Sequence, residues 1–367
     1  VGHPEIATID ARRTAEACLP LEARIKAQAF VLGFDLAGLT ALGPAETGDA
    51  FLDWIGHGYA GGMSYLERGA ELRRDTRRPT AGVSTAIVVA MNYGGTQAPG
   101  PIARYARGRD YHDVVKERLD ALHAWLDCAV GAAVAGRSYV DTGPILERDL
   151  ARKAGLGWFG KNTNLINPGL GSFFFIGALL VDLDLTPDAP FAADRCGSCT
   201  RCLDACPTDA FVAPRVLDAT RCISYLTIEH RGAIDDALRP LIGELVYGCD
   251  ICQDVCPWNV RFSRNVRVPD LAPAGHVGDA DPVGLLQLSD DQFRARFRGT
   301  AMTRAKRRGL ARNAAIALGN RGRPEDAAAL ARAAASDEDP VVREHAAWAL
   351  ARCGGAGTAP EPPTSDH

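Results

Sequence analysis

The sequence predicts a multidomain α+β protein of 367 residues, and three patterns carry that prediction. Two apolar runs of strand length, Ser84–Tyr93 and Gly171–Val181, lie either side of a long helical pattern. Eight of the eleven cysteines fall between Cys196 and Cys256. Near the end, Ala-Ala-Ile-Ala-Leu-Gly returns as Ala-Ala-Trp-Ala-Leu-Ala, with Leu318 and Leu350 about 32 residues apart, a period of paired-helix repeats. The expected division is 1–188 of mixed structure, 189–268 rich in cysteine, and 283–354 of helical repeats. Pro269 to Pro282 reads as a linker, and 355–367 as a disordered tail.

Taken in order, Thr14 to Gly33 reads as an amphipathic helix through Ala17, Leu21, Ile25 and Ala29. Asp49 to Gly56 is a short helix. The arginines from Arg68 to Arg78 read as a solvated face. A polar, aromatic loop, Arg104 to His112, leads into a helix from Asp113 to about Val130. His112 at that helix start reads as structural or solvated. Ser138 to Pro144 is a strand ending in a turn. Pro144 then suits the first turn of a helix from Ile145 to Ala154. Asp141 at the strand end reads equally as a turn residue or as an acid–base group. Gly155 to Asn162 is a glycine-rich turn without the spacing of a Walker A loop or a dinucleotide fingerprint.

Apolar content of 47% and charged content of 23% suit a globular protein. The net charge of −4 excludes polyanion binding by bulk electrostatics, so any nucleic-acid site must be a local patch. No apolar run is long enough to span a membrane. No basic-then-apolar pattern opens the chain, and the cysteines stand at metal-ligand spacing, so a cytoplasmic protein is expected.

The run Cys196-x2-Cys199-x2-Cys202-x3-Cys206-Pro207 has the spacing of two-cluster ferredoxins. Three cysteines in seven residues can wrap one cubane, and the fourth ligates the other cluster. The second run holds Cys249, Cys252 and Cys256. By the same crossing, Cys196, Cys199, Cys202 and Cys256 hold one [4Fe–4S] cluster, and Cys206, Cys222, Cys249 and Cys252 the other. Zinc, which also takes four thiolates, and a purely structural Cys222 are the alternatives. Cys18, Cys128 and Cys353 stand alone in helical patterns and read as core residues. Arg294, Arg296, Arg298, Arg304, Lys306, Arg307, Arg308 and Arg312 form a basic stretch with no acid between Asp291 and Glu325. It reads as a phosphate-tracking surface for nucleic acid.

These residues together resemble the epoxyqueuosine reductase family. The likeness rests on Arg104-Tyr-Ala-Arg-Gly-Arg-Asp-Tyr-His112, Val140-Asp-Thr-Gly-Pro-Ile-Leu-Glu-Arg148, Lys153-Ala-Gly-Leu-Gly-Trp158, Gly160-Lys161 and Gly171-Ser-Phe-Phe-Phe175. Both cysteine runs, Arg221-Cys-Ile-Ser-Tyr-Leu-Thr-Ile-Glu229, Tyr247-Gly-Cys-Asp250 and Arg312-Asn-Ala-Ala-Ile-Ala-Leu-Gly-Asn320 extend it. The resemblance implies a cobalamin-binding α/β domain like that of reductive dehalogenases, with the two clusters reducing the cobalt. It implies reduction of epoxyqueuosine to queuosine at the wobble position of a tRNA anticodon stem-loop. Asp141 becomes the proton donor, with a carboxyl pKa raised by burial beside the macrocycle. Arg104, Asp141, Lys161, Ser172, Tyr247 and Gly248 are implied to line the cobalamin. His230 and Arg231, with Arg304, Lys306, Arg307 and Arg308, are implied to face the tRNA. An external electron donor is needed, and a monomer suffices. The Asp-x-His-x-x-Gly signature of another cobalamin class is absent, since position 115 is Val. The competing readings are a reductive dehalogenase, a non-catalytic electron carrier, and a nucleic-acid binder with structural clusters.

Overall fold

The computed structural model describes residues 19–278 and 281–354. Cys18, the first turn of the helix expected from Thr14, and the expected tail at 355–367 lie outside them. Helix α1 (Leu21–Val31) begins directly after Pro20, later than the apolar period suggested. Strand β1 (Leu36–Ala41) follows, then α2 (Gly48–Gly56), β2 (Thr85–Asn92), α3 (Tyr111–Val130), β3 (Gly136–Tyr139) and α4 (Glu147–Lys153). A two-residue hairpin pair, β4 (Trp158–Phe159) and β5 (Leu165–Ile166), occupies the expected glycine-rich turn, and β6 (Phe174–Val181) closes the unit. The main sheet has the order β1-β2-β6-β3, and every pair is antiparallel.

The two apolar runs are buried on both faces, which explains why they lack alternation. On β2, Ile87, Val89 and Met91 pack with α3 residues Val115, Leu119 and Leu122. The alternate residues, Ala86, Val88 and Ala90, pack with Leu150 and Ala151 of α4. Both faces of the sheet therefore carry helices. Asp110 caps α3, its side chain accepting from the His112 backbone N–H. Helix α4 begins two residues later than expected, after Leu146, and Pro144 stays in the turn.

The cysteine-rich stretch is compact and short in its elements. After the first run come a small β7–β8 hairpin (Phe211–Ala213, Val216–Leu217) and α5 (Ile223–Ile228). After a long loop come α6 (Ile251–Asp254) and α7 (Pro257–Phe262), with Pro257 at the first turn of α7. The repeat helices are α8 (Lys306–Arg321), α9 (Ala327–Ser336) and α10 (Pro340–Gly354). Gly319 of α8 lies so close to α10 that a Cβ would stand 2.8 Å from Ala349 and from the Trp348 ring, so only glycine lets the helices pack this closely there.

The expected linker is not one. Leu271 is 2% and Val277 0% exposed, and each joins a core. One hydrophobic core contains Ile102 and Ala106, Val246 and Tyr247, and Phe297 through Ala349. Packing therefore crosses the boundaries expected near 188 and 268. Arg312 anchors that joint rather than a surface. It is 1% exposed and donates to the carbonyls of Leu226, His230 and Gly232. Its neighbour Asn313 donates to Thr227 and Val246. Arg312→Met leaves three buried carbonyls without a donor, so a loss of about 3 kcal/mol is expected, read as a lowered denaturant midpoint.

Candidate active site and cysteine centre

Asp141 sits in the turn between β3 and α4 with φ at +58°, a conformation that non-glycine residues rarely adopt. The N–H of Thr142 donates to Val140 O at 2.6 Å across it, closing a γ-turn. Such strain costs on the order of 1–3 kcal/mol and is concentrated at functional sites. The side chain is 66% exposed, so its carboxylate is open to an incoming substrate. Tyr111 Oη donates to Asp141 Oδ2 at 2.6 Å, and His112 Nε2 stands 3.6 Å from the same oxygen. The other ring nitrogen of His112, Nδ1, faces Asp110 Oδ1 at 2.7 Å. One imidazole thus bridges two carboxylates.

The electrostatics follow from that bridge. Burial opposes charge on His112, but hydrogen bonds to Asp110 and Asp141 outweigh it and raise the imidazole to about 9. Partial desolvation by the surrounding wall works to raise Asp141, but His112 and Tyr111 hold it below the usual carboxylate range. His112 and Tyr111 thus oppose the upward shift expected of Asp141 beside a macrocycle. At neutral pH the proton resides on His112. Glu147, at the start of α4, is pushed up to about 8, first by burial and then by the negative charge of Asp141. Its Oε1 and the Nη1 of Arg73 are buried without a partner.

A protonated His112 is fully present below about pH 8 and is lost as pH rises through about 9. Turnover driven by a chemical reductant is expected to fall along that limb. His112→Gln should lower the plateau about tenfold or more and abolish the limb, read in a pH–rate profile.

Aromatic rings link this acid group to the second cysteine run. Tyr111 stacks on Phe175 with centroids 4.3 Å apart, and Tyr105 meets Tyr111 at 5.9 Å and Tyr247 at 6.2 Å. Tyr247 is followed by Gly248, at φ +71°, and Cys249. Tyr105 and Tyr111 are the half-buried members of this aromatic wall, and their rings are the part a flat macrocycle would pack against.

The eight cysteines separate into two groups. Burial raises the Cys202 thiol to about 11, and Cys256, Cys196 and Cys199 add to the rise. Burial raises Cys249 to about 12, reinforced by Cys222 and Cys206. Cys252 is pushed up by burial and then by Cys249 and Cys222. Cys256 thus lies with the three leading cysteines of the first run, and Cys206 lies with Cys222 and Cys249, while Cys252 stands near both Cys249 and Cys202. Among the described residues, no three His, Cys, Asp or Glu side chains converge closely enough for one metal ion. The N–H of Trp158 points at Cys196 Sγ at 3.5 Å, and that of Ala210 at Cys206 Sγ at 3.4 Å. Of the isolated cysteines, Cys128 is exposed and is not the core residue expected, while Cys353 is half-buried and packs against the repeat core.

Several residues expected at the cofactor have other partners. Lys161 Nζ donates to Gly197 O at 2.7 Å and Cys199 O at 2.9 Å, bracing the first cysteine loop. Arg104 is 3% exposed and pairs with Asp250 at 3.0 Å and Asp254 at 2.7 Å. Ser172 Oγ is bonded to Gln253 and Asn259, both on the second cysteine segment. The Tyr247 hydroxyl donates to Ala301 O, and the Gly248 N–H donates to Thr227 Oγ1. Together these contacts weld the cysteine region to the sheet unit.

The basic stretch is largely neutralised by acids remote in sequence. Arg304 makes a two-point pair with Glu229 at 2.7 and 2.8 Å. Arg307 pairs with Asp337 at 2.8 Å, and Arg308 approaches Asp339 at 3.6 Å. Arg231 donates to Ala305 O, and His230 Nε2 meets Ala233 O. Lys306 is exposed. The expected continuous cationic surface is thus reduced to Lys306, Arg298 and the outer edges of Arg304 and Arg308. Arg304 also lies 5.6 Å above the half-exposed ring of Tyr65.

The 4Fe-4S double cluster binding domain model matches residues 195–259, the epoxyqueuosine reductase QueG model 73–142, and the HEAT repeats model 299–361. Epoxyqueuosine reductase of Escherichia coli strain K12 is 39% identical over 345 residues, covering 90% of this chain and 89% of that protein. The enzyme of Xanthomonas campestris pv. campestris is also 39% identical, covering 90% and 96%. A crystal structure of selenomethionine-labelled epoxyqueuosine reductase superposes with a TM-score of 0.85 at 30% identity, covering 91% of each chain. Another, of epoxyqueuosine reductase with an epoxyqueuosine-modified tRNA-Tyr stem loop, gives 0.84 at 31% identity, covering 91% of this chain and 90% of that one. Sequence likeness and fold likeness both run nearly the length of the chain, and the chain belongs to the epoxyqueuosine reductase family.

Proposed function

We propose that this protein reduces epoxyqueuosine to queuosine in tRNA, using two [4Fe–4S] clusters and cobalamin. The observation that carries the reading is the Asp141–His112–Tyr111 group, joined by an aromatic wall to the second cysteine quartet. Cys196, Cys199, Cys202 and Cys256 would hold one cluster, and Cys206, Cys222, Cys249 and Cys252 the other. Bound beside Tyr247, Gly248 and the Tyr105–Tyr111 wall, cobalamin would supply low-potential electrons to the substrate.

The chain's own residues supply the first proton, and solvent supplies the second. Loss of the epoxide oxygen as water needs two electrons and two protons, and the oxygen becomes negative as its bond to carbon breaks. His112 holds a proton at Nε2 beside Asp141 Oδ2, and Asp141 presents it to the open side of the site. Tyr111 keeps the carboxylate aimed and shares its charge. The strained turn holds Asp141 forward of the sheet. Tyr65 with Arg304, and the exposed Lys306, form the side on which a tRNA loop would be met by stacking and phosphate contact. Sheet unit, cysteine unit and repeats each contribute to one chain, so a monomer suffices.

Mass analysis of tRNA nucleosides from a strain lacking the gene tests the reading. Epoxyqueuosine should accumulate and queuosine disappear. Unchanged queuosine would remove the assignment.

A further inference from the structure

The two cysteine quartets differ in access. Cys196, Cys199, Cys202 and Cys256 line a cavity whose inner part the first cluster would fill and which opens to the surface past Arg195 and Arg261. The second quartet lies on the side of the aromatic wall: Cys249 directly follows Tyr247 and Gly248, and Gln253, next to Cys252, reaches the buried Ser172. Three cations, Lys161, Arg195 and Arg261, line the open cavity, and no carboxylate does. Lys161 is occupied with the cysteine loop. Arg195 and Arg261 are exposed and form no ion pair among the described residues. Their guanidinium groups lie over Phe191 and Phe262, at 5.6 and 5.2 Å. The nearby acids are engaged: Asp194 pairs with Arg215, and Asp204 accepts from Thr200. Val260, next to Arg261 on the same short helix, is 73% exposed, an apolar side chain beside a cation.

We propose that this open face, rimmed by Arg195, Arg261 and Val260, is the docking surface of a small acidic one-electron carrier protein. The inference rests on the cluster reading above and names the partner that reading requires. Two unpaired cations beside an exposed apolar side chain match an acidic partner with an apolar centre. The open quartet is the one a carrier can approach, and the inward quartet is the one joined to the acid group. Each encounter moves one electron from the reduced carrier to the oxidised first cluster. No bond breaks and no proton moves. Two encounters supply the two electrons the reduction consumes.

The test uses the full chain with both clusters reconstituted, and reduced plant-type [2Fe–2S] ferredoxin as the probe. Stopped-flow bleaching of the cluster absorbance gives the rate of electron entry. The wild-type rate should fall at least tenfold between low and high salt. The double variant Arg195→Glu, Arg261→Glu should lose at least tenfold at low salt, with dithionite-driven bleaching and cluster potential unchanged. Val260→Glu, which leaves both arginines in place, should show the same selective loss. An unchanged ferredoxin rate in both variants would overturn the docking surface. So would a loss matched by equal changes in the dithionite rate and the potential, because the cations would then serve the cluster itself. A wild-type chain that takes up no iron would overturn the cluster reading, and the docking surface with it.

Discussion

Asp141→Asn is expected to lower turnover by at least about 100-fold while the protein stays folded and keeps its clusters. Asparagine is the informative replacement. It tolerates positive φ better than other residues, so the strained turn at +58° survives. It can still accept from Tyr111, so the geometry around the oxygen is preserved. What it cannot do is pass a proton from His112 Nε2 to the substrate oxygen. Single-turnover assays with a chemical reductant would separate the effect on the reduction step from any effect on tRNA affinity. The affinity should change little, since the carboxylate is 66% exposed and no cation of the basic stretch pairs with it. Full activity in this variant would move the proton donor elsewhere, and Glu147, raised to about 8, would be the next group to test.

The contrast between legible and hidden parts of the site follows from distance along the chain. Cysteine ligands crowd into short segments, so their spacing alone suggested two crossed quartets. Asp141 stood out locally as either a turn residue or an acid–base group, and only motif likeness favoured the second. Its partners Tyr111 and His112 lie 30 and 29 residues earlier and are delivered by the first turn of α3, which packs on the same sheet. The local signal was present in Asp110, which caps that turn and also takes the second imidazole nitrogen. A histidine placed between two acids was not apparent until the fold closed. The basic stretch failed for the converse reason. Its acids, Glu229, Asp337 and Asp339, are absent from the local window but present in space. Arg312 looked like part of a surface because its carbonyl partners belong to another segment.

Crossing of the cysteine ligands gives the second large effect. Cys256 lies in the second run, yet it neighbours Cys196, Cys199 and Cys202. Cys206 lies in the first run, yet it neighbours Cys222, Cys249 and Cys252. If ligation followed sequence proximity, Cys256→Ala would damage the inward cluster and Cys206→Ala the outer one. The spatial grouping predicts the reverse. Cys256→Ala should cut iron content to about half and remove the cluster that bleaches fastest with an external protein donor. The remaining cluster should keep its spectrum and still be reduced slowly by dithionite. Cys206→Ala should leave that fast phase intact and stop electrons short of the acid group, so that the outer cluster reduces normally and substrate turnover is lost. The two variants thus carry equal iron but opposite kinetics. That difference distinguishes crossed quartets from two independent loops, because independent loops exchange the two outcomes. It also tests direction, since only an outer-to-inner relay makes a Cys206 variant reducible yet inactive.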